Sequence, residues 1–396
     1  MIVRKIREEE YSRTQELFAL AFEIPLDRRT LSAQELDRIR RCPRTREEKY
    51  WLERWAAFTD NGEMMSFLIG FPATVRFDGR EAVCTCIGGV SSLPQFRGRG
   101  AIASCFRRHL EDSYRAGHVF SYLYPFSTRF YRQFGYTLCT ERVDWTLDAD
   151  LLPAVDGDPG TCVLSEDFSH YAEIQAVYNR YLARYNFSFV REDCDWNRVI
   201  DRDPASARRY TYLWKNGAGV PKGVFTYRKI YEEGLERATM LCDAFYFADA
   251  EGLQGLLGQL RAYRGHFQKI QLTLPKDVAL ERFLPEVSRG CARTLRFAGM
   301  GRVIHAEKAL RMAAYRGSGR VSLKLRDSYV SENNRVYTVD FTDGKCTRIQ
   351  PGEAWDLELD IETFSRWLLG ACSDGEVPAS LNAIFYPKKL FICDGF

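Results

Sequence analysis

The chain has 396 residues, of which 45% are apolar, 28% charged and 14% aromatic, a composition that supports roughly two to four cored domains and excludes a disordered or collagen-like protein. Its 56 basic and 53 acidic side chains leave a formal charge of +3, so neither nucleic acid nor an acidic membrane surface is an expected partner. The opening Met1-Ile2-Val3-Arg4-Lys5 lacks the apolar core of a signal peptide, and no apolar run reaches about 20 residues, so a soluble, cytoplasmic protein is expected.

In chain order, a strand over 2–6 precedes a helix over 8–22, in which Leu17, Leu20 and Ala21 recur at helical spacing. Charge is dense from 27 to 54 with both signs interleaved, which reads as a solvated helix pair. Strands over 55–58, 65–71, 74–77 and 82–93, with Asp60-Asn61-Gly62 and Asp78-Gly79 at turns, form an antiparallel meander. A Gly-rich turn, Gln95-Phe96-Arg97-Gly98-Arg99-Gly100, then opens a helix over 101–115. A strand over 119–124, a short helix over 128–134 and a strand over 143–147 complete a first α/β unit, and the Pro-, Gly- and Asp-rich 152–160 reads as a linker.

The middle of the chain repeats the alternation with helices over 168–185, 193–199 and 250–263 and strands over 209–214, 220–230, 238–248 and 269–274. It has no Gly-rich turn before its last helix. The final hundred residues read as an α+β domain: a helix over 304–313, strand pairs around the turn Thr342-Asp343-Gly344, and a helix over 362–369. The expected division is 1–150, 151–298 and 299–396.

Twelve cysteines form no C-x-x-C pair, and the five histidines at 109, 118, 170, 266 and 305 form no H-x-x-x-H pattern. No metal site is expected, and most thiols read as small buried hydrophobes. The chemistry concentrates instead in the turn at 95–100. A strand that ends in two glycines and opens a helix offers free backbone N–H groups and the positive end of the helix dipole to an anion. It matches neither the triphosphate loop G-x-x-x-x-G-K-[ST] nor the dinucleotide fingerprint. It fits Q/R-x-x-G-x-G, which resembles the pyrophosphate loop of the GCN5-related N-acetyltransferases (GNAT). About thirty residues on, Phe130-Tyr131-Arg132-Gln133-Phe134-Gly135-Tyr136 is similar to that family's Y-x-x-x-G-aromatic helix, whose Tyr commonly faces the coenzyme sulfur.

With Gly88-Gly89-Val90, Arg302-Val303-Ile304 and the terminal Asp394-Gly395-Phe396, the whole chain resembles the Eis (enhanced intracellular survival) acetyltransferases. The resemblance implies tandem GNAT-like domains, the second without the phosphate cradle, followed by a sterol-carrier-protein-like domain. It also implies acetyl-CoA as co-substrate, attack of a primary amine on the thioester, and a hexameric or trimeric assembly. The acceptor would be a small molecule of aminoglycoside or polyamine type, or a protein lysine.

Tyr131 is then the expected general acid, and the α-carboxylate of Phe396 the base the family implies. Val90 and Ser92 are expected to pair with the pantetheine arm, and Arg97, Gly98, Arg99, Gly100, Ala101 and Ile102 to cradle the phosphates. Ser127 and Thr128 lie where they could touch the coenzyme, although capping the helix is the simpler role. Phe22, Asp27 and Asp394 are the acceptor-site candidates. Ser127-Thr128-Arg129 and Gly395 depart from the family's usual pattern, which bears on the acceptor. The alternative from another class is a non-catalytic scaffold that uses the last domain to hold an apolar ligand.

Overall fold

A computed structural model describes residues 1–26, 32–154, 159–372 and 375–395. The chain forms two compact bodies, Met1–Thr140 with Ala298–Phe396 and Glu141–Phe297, and each is of mixed α/β character. Two sequence candidates, Asp27 and Phe396, lie outside the described residues.

The first stretch comprises β1 (Ile2–Lys5), α1 (Tyr11–Phe22), α2 (Ala33–Arg41), α3 (Arg46–Lys49), β2 (Arg54–Phe58), β3 (Met64–Phe77), β4 (Arg80–Ser92), α4 (Ala101–Arg115), β5 (Phe120–Leu123) and α5 (Thr128–Arg132). Strands β1 to β4 are antiparallel neighbours, and β5 joins β4 in parallel. The β3–β4 hairpin turns on Asp78 and Gly79, both at positive φ (47° and 77°), the twist that a tight two-residue hairpin requires. One 14-residue β3 runs where two strands were expected. Pro72 lies beyond the last β2 pair, Arg54↔Ile69, so its missing N–H costs no bond to that neighbour.

Helix α4 buries Ala101, Cys105, Phe106, His109, Leu110 and Ser113, spaced along one face. That face lies so close to β3 that a Cβ on Gly70 would stand 2.1 Å from the His109 ring. In α1, Leu17 is buried as its spacing suggests, but Leu20 is 62% exposed, and Tyr11, Thr14 and Ala19 complete the inner face instead.

The chain enters the second body within β6 (Thr137–Asp148). There follow β7 (Thr161–Leu164), α6 (Tyr171–Leu182), β8 (Phe189–Val190), α7 (Asp193–Trp196), α8 (Pro204–Ala207), β9 (Arg209–Lys215), β10 (Pro221–Ile230), β11 (Ala238–Phe247), α9 (Ala250–Ala262) and β12 (Phe267–Pro275). The sheet order is β7-β9-β10-β11-β12 and then the 142–148 part of β6, with β11 and β12 parallel and the other pairs antiparallel. Helix α6 begins three residues later than the spacing suggests, because Asp167, Phe168 and His170 all take positive φ.

Strand β13 (Cys291–Val303) returns the chain to the first body, where Met300↔Leu123 to Val303↔Phe120 add it antiparallel to β5. Beyond it come α10 (Ala306–Met312), β14 (Gly319–Arg326), β15 (Val336–Thr342), β16 (Lys345–Pro351), β17 (Leu357–Asp360), α11 (Ile361–Leu368) and α12 (Ala379–Asn382). The four strands form a sheet in the order β16-β15-β14-β17. Tyr315 stacks on Phe341 at 4.6 Å and Phe385 meets Trp367 edge-on at 4.7 Å, which ties the last stretch of chain to this domain's core.

Candidate active site

The site begins where two parallel strands part. Pairing of β4 with β5 ends at Ile87↔Leu123, whereas β4 continues to Ser92. Between Ile69↔Gly88 and Phe67↔Ser91, β4 advances one residue more than β3, a bulge that Gly89 absorbs at φ +58°. A side chain at Gly89 would also strike Ile69, its Cβ lying 2.7 Å from Cδ1, so glycine is required there twice over. Past the bulge, Leu93 N–H bonds to Met65 C=O on β3 at 3.0 Å. Strand alternation then turns the backbone groups of Ser92 and Val90 to the opposite edge, into the opening left by β5. The Ser92 hydroxyl is engaged with that of Ser66 at 2.7 Å, so it is the backbone of Ser92 that the opening receives.

The opening leads to the Gly-rich turn. Gly98 and Gly100 have φ of +76° and +74°, and a Cβ on either would meet nothing within 4 Å. Their glycine character therefore serves the turn's shape and leaves space above it. Gly100 caps α4 without a side-chain hydrogen bond, and the first bond closing on the helix is Ser104 N–H to Gly100 C=O at 3.0 Å. The N–H groups of Ala101 and Ile102 thus belong to the orphan donors of a helix start. Arg97 and Arg99 are exposed, neither meets an acid among the described residues, and the Arg99 guanidinium lies 5.6 Å over the Phe96 ring. This loop has room, donors and positive potential for a pyrophosphate, so the residues present fit the phosphates of coenzyme A.

Tyr131 sits on the single turn of α5, 3% exposed. The rings of Phe106, Phe126, Phe130 and Tyr136 surround it at 5.1 to 6.4 Å. Burial pushes its phenol well above the usual tyrosine range, so it keeps its proton at any physiological pH. Ser127 caps α5, its Oγ accepting the Phe130 N–H at 3.3 Å, and Thr128 is the first residue of the helix.

Sequence reasoning missed Tyr124. It stands one residue past the last β4–β5 pair, at the mouth of the opening, and its hydroxyl donates to the Asp394 carbonyl at 2.6 Å. The segment from 388 to 394 has no regular secondary structure, yet Phe391, Ile392 and Asp394 are buried. The far end of the segment is fixed by Lys388, whose ammonium forms a buried ion pair with Asp78 of the β3–β4 turn. The tail is therefore drawn across the first domain to the mouth of the opening. The only advance signal was the alternation of Tyr122 and Tyr124. Of the acceptor candidates, Asp394 is brought here, while Phe22, at the end of α1, is half exposed and packs on Phe18 at 4.5 Å.

Among the described residues no three His, Cys, Asp or Glu side chains cluster as metal ligands, and no helix is long and apolar enough to cross a membrane. The Acetyltransferase (GNAT) domain family matches residues 2–139, a second Acetyltransferase (GNAT) domain family matches 188–303, and the Sterol carrier protein domain family matches 306–377. No curated protein sequence matches the chain. Among solved structures, a probable N-acyltransferase from Enterococcus faecalis superposes with a TM-score of 0.84 at 22% identity, over 100% of this chain and 99% of that one. A GCN5-related N-acetyltransferase from Anabaena variabilis gives 0.83 at 16% identity, and Eis1 from Mycobacterium abscessus 0.76 at 18%, each over 100% of both chains. At such identities the likeness establishes the fold. The two acetyltransferase domains together span more than half of the chain, and enzymes of this fold take acetyl-CoA as co-substrate. The parted strands, the glycine turn and the domain order thus converge on one conclusion: the chain is an acetyltransferase of the GCN5-related N-acetyltransferase superfamily, with the fold of its Eis-like members.

Proposed function

We propose that the first domain transfers acetyl from acetyl-CoA to a primary amine of a small acceptor, with Tyr131 as proton donor and the carboxylate at Phe396 as base. The observation that carries this reading is the parting of β4 from β5 at Ile87↔Leu123, directly followed by a helix start with no side-chain cap. In this reading the N–H groups of Gly98 to Ile102 take the phosphates, and Val90 and Ser92 pair with the pantetheine amides as an added strand would. An N–H on that edge also holds charge that develops on the acetyl oxygen.

An alkylammonium, with a reference pKa near about 10, must first give up a proton. The proposed base at the end of the tail accepts it; the amine lone pair then bonds to the acetyl carbon, the C–S bond breaks, sulfur takes the Tyr131 proton, and the acetylated nitrogen gives up its second proton, which restores the phenol. A buried phenol suits the protonation of sulfur because it places no charge beside the sulfur before the bond breaks. Asp394, and Phe22 and Asp27 of the first domain, are proposed to face the acceptor amine. The division 1–150, 151–298 and 299–396 completes the proposal, with turnover confined to the first domain.

The experiment is thiol release from acetyl-CoA over a panel of polyamines, aminoglycosides and lysine peptides, with wild type and Tyr131→Phe compared. Amine-dependent release that falls by about a hundredfold in the variant, at unchanged KM for acetyl-CoA, is the expected result. Release with lysine peptides alone would move the acceptor to a protein.

A further inference from the structure

Arg302 does nothing in the mechanism above, yet it is one of the largest fully buried side chains of the chain. We infer that Arg302 is a positioning residue, whose guanidinium, held by Asp327, fixes the carbonyl end of α5 and through it the direction of the Tyr131 phenol. The inference rests on the reading of Tyr131 as proton donor and adds the part of the last domain that aims it.

The guanidinium and the Asp327 carboxylate have no solvent exposure and meet at 2.5 Å. Asp327 is itself fixed by the N–H groups of Tyr329 and Val330 at 2.9 and 3.1 Å and by the Asn333 amide at 3.0 Å. With the fork so oriented, Arg302 Nε reaches the Val303 carbonyl at 3.2 Å and Nη1 donates to the Phe134 carbonyl. Phe134 closes the turn that sets the Tyr131 backbone: its N–H bonds to the Tyr131 carbonyl at 3.0 Å, and Gly135 N–H bonds to Arg132 at 2.8 Å. The same turn is pressed on the last domain at Gly135, where a Cβ would lie 2.6 Å from Ile361 Cγ2 and 3.2 Å from Arg302 Nη1.

A helix of five residues cannot hold its own direction, so that direction must come from what it touches. Stability alone does not account for the pair. A buried ion pair is on average no more stabilising than well-packed apolar side chains of equal volume, whereas a planar fork anchored on one edge specifies where its other edge points. Arginine rather than lysine is needed, because three acceptors in three directions must be met at once.

The test is a double-mutant cycle on the full chain, read by kinetics and by NMR of enzyme labelled with 13C at the tyrosine ζ carbon. The Tyr131 resonance is assigned by its absence in Tyr131→Phe. Arg302→Lys is expected to lower kcat about tenfold with KM for acetyl-CoA within about twofold, and to lower it less than about twofold in the Tyr131→Phe background, because residues that act through one another are not additive. It is also expected to shift or broaden the Tyr131 resonance. Equal losses in both backgrounds, or an unmoved resonance, would overturn the inference. If Tyr131→Phe alone leaves kcat unchanged, the proton-donor reading falls, and the resonance still decides whether Arg302 positions the ring. Should Arg302→Lys not fold, Asp327→Asn, which keeps the shape and removes the anchoring charge, is read the same way.

Discussion

The two acetyltransferase domains reach the same junction, a strand parallel to its next neighbour that turns into a helix, and finish it in opposite ways. In the first, β4 passes through Gly98 and Gly100 to an α4 whose start has no side-chain cap. In the second, β11 passes to α9 through Asp249, whose carboxylate accepts the Gly252 N–H at 3.1 Å. Lys222 meets that carboxylate at 2.6 Å, and Arg180 lies 3.9 Å away. Burial would raise the Asp249 pKa, but the Lys222 and Gly252 hydrogen bonds outweigh it and hold the carboxyl below its usual range. The second domain has filled its own helix start with a carboxylate that engages the Gly252 N–H and pairs with Lys222, whereas the first domain leaves the N–H groups at its helix start bare.

That contrast can be broken from either side. The largest effect is expected from giving the first domain the second domain's plug: Gly100→Asp should raise KM for acetyl-CoA by about a hundredfold or more through like-charge repulsion at the phosphates, checked by initial rates. Nothing lies within 4 Å of the added Cβ, but Gly100 sits at φ +74°, where any side chain is strained, so Gly100→Ala, which brings the same strain without the charge, is the control and should raise KM less. Arg97→Gln and Arg99→Gln should each raise that KM by only about two- to fivefold with kcat kept, because the backbone rather than their charge forms the cradle. Asp249→Ala should destabilise by about 0.5–2 kcal/mol through loss of the cap, read by denaturant melts, and leave turnover unchanged.

How much of this was legible beforehand follows from range. Helix α4 was read to the residue, since its apolar spacing and its glycine turn are local signals. The spacing from the glycine turn to Tyr131 likewise needed only the chain's own order. Tyr124 was overlooked because its partner lies 270 residues away, and no periodicity reports such a pair. Arg302 was noticed as part of a string and given no task, since its partners Phe134 and Asp327 come from opposite sides of the chain. Asp249 drew no reading of its own from the sequence, and only its position at the counterpart of the glycine turn gives its cap a meaning.

A smaller, pH-dependent effect sharpens the comparison, because it belongs to the first domain alone. His109 of α4 is buried against Gly70, with Thr85 Oγ1 at 3.0 Å, and burial drives its pKa down to about 3. The unfolded chain takes up a proton at this histidine below about 6.5, whereas the folded chain does not until about 3. Stability is therefore present in full above about pH 6.5 and is lost as pH falls through that window, by up to about 1.4 kcal/mol per pH unit from this group. Thermal melts from pH 7 to 4 should show this slope, and His109→Gln should reduce it, leaving the contributions of His118 and His305, whose pKa values burial also lowers.

The most direct test is calorimetric titration of acetyl-CoA into wild type, Gly100→Asp and Asp249→Asn. One site per chain that is lost in Gly100→Asp and kept in Asp249→Asn is the result expected from an open first cradle and a plugged second one. Two sites per chain, or binding that survives Gly100→Asp, would contradict it.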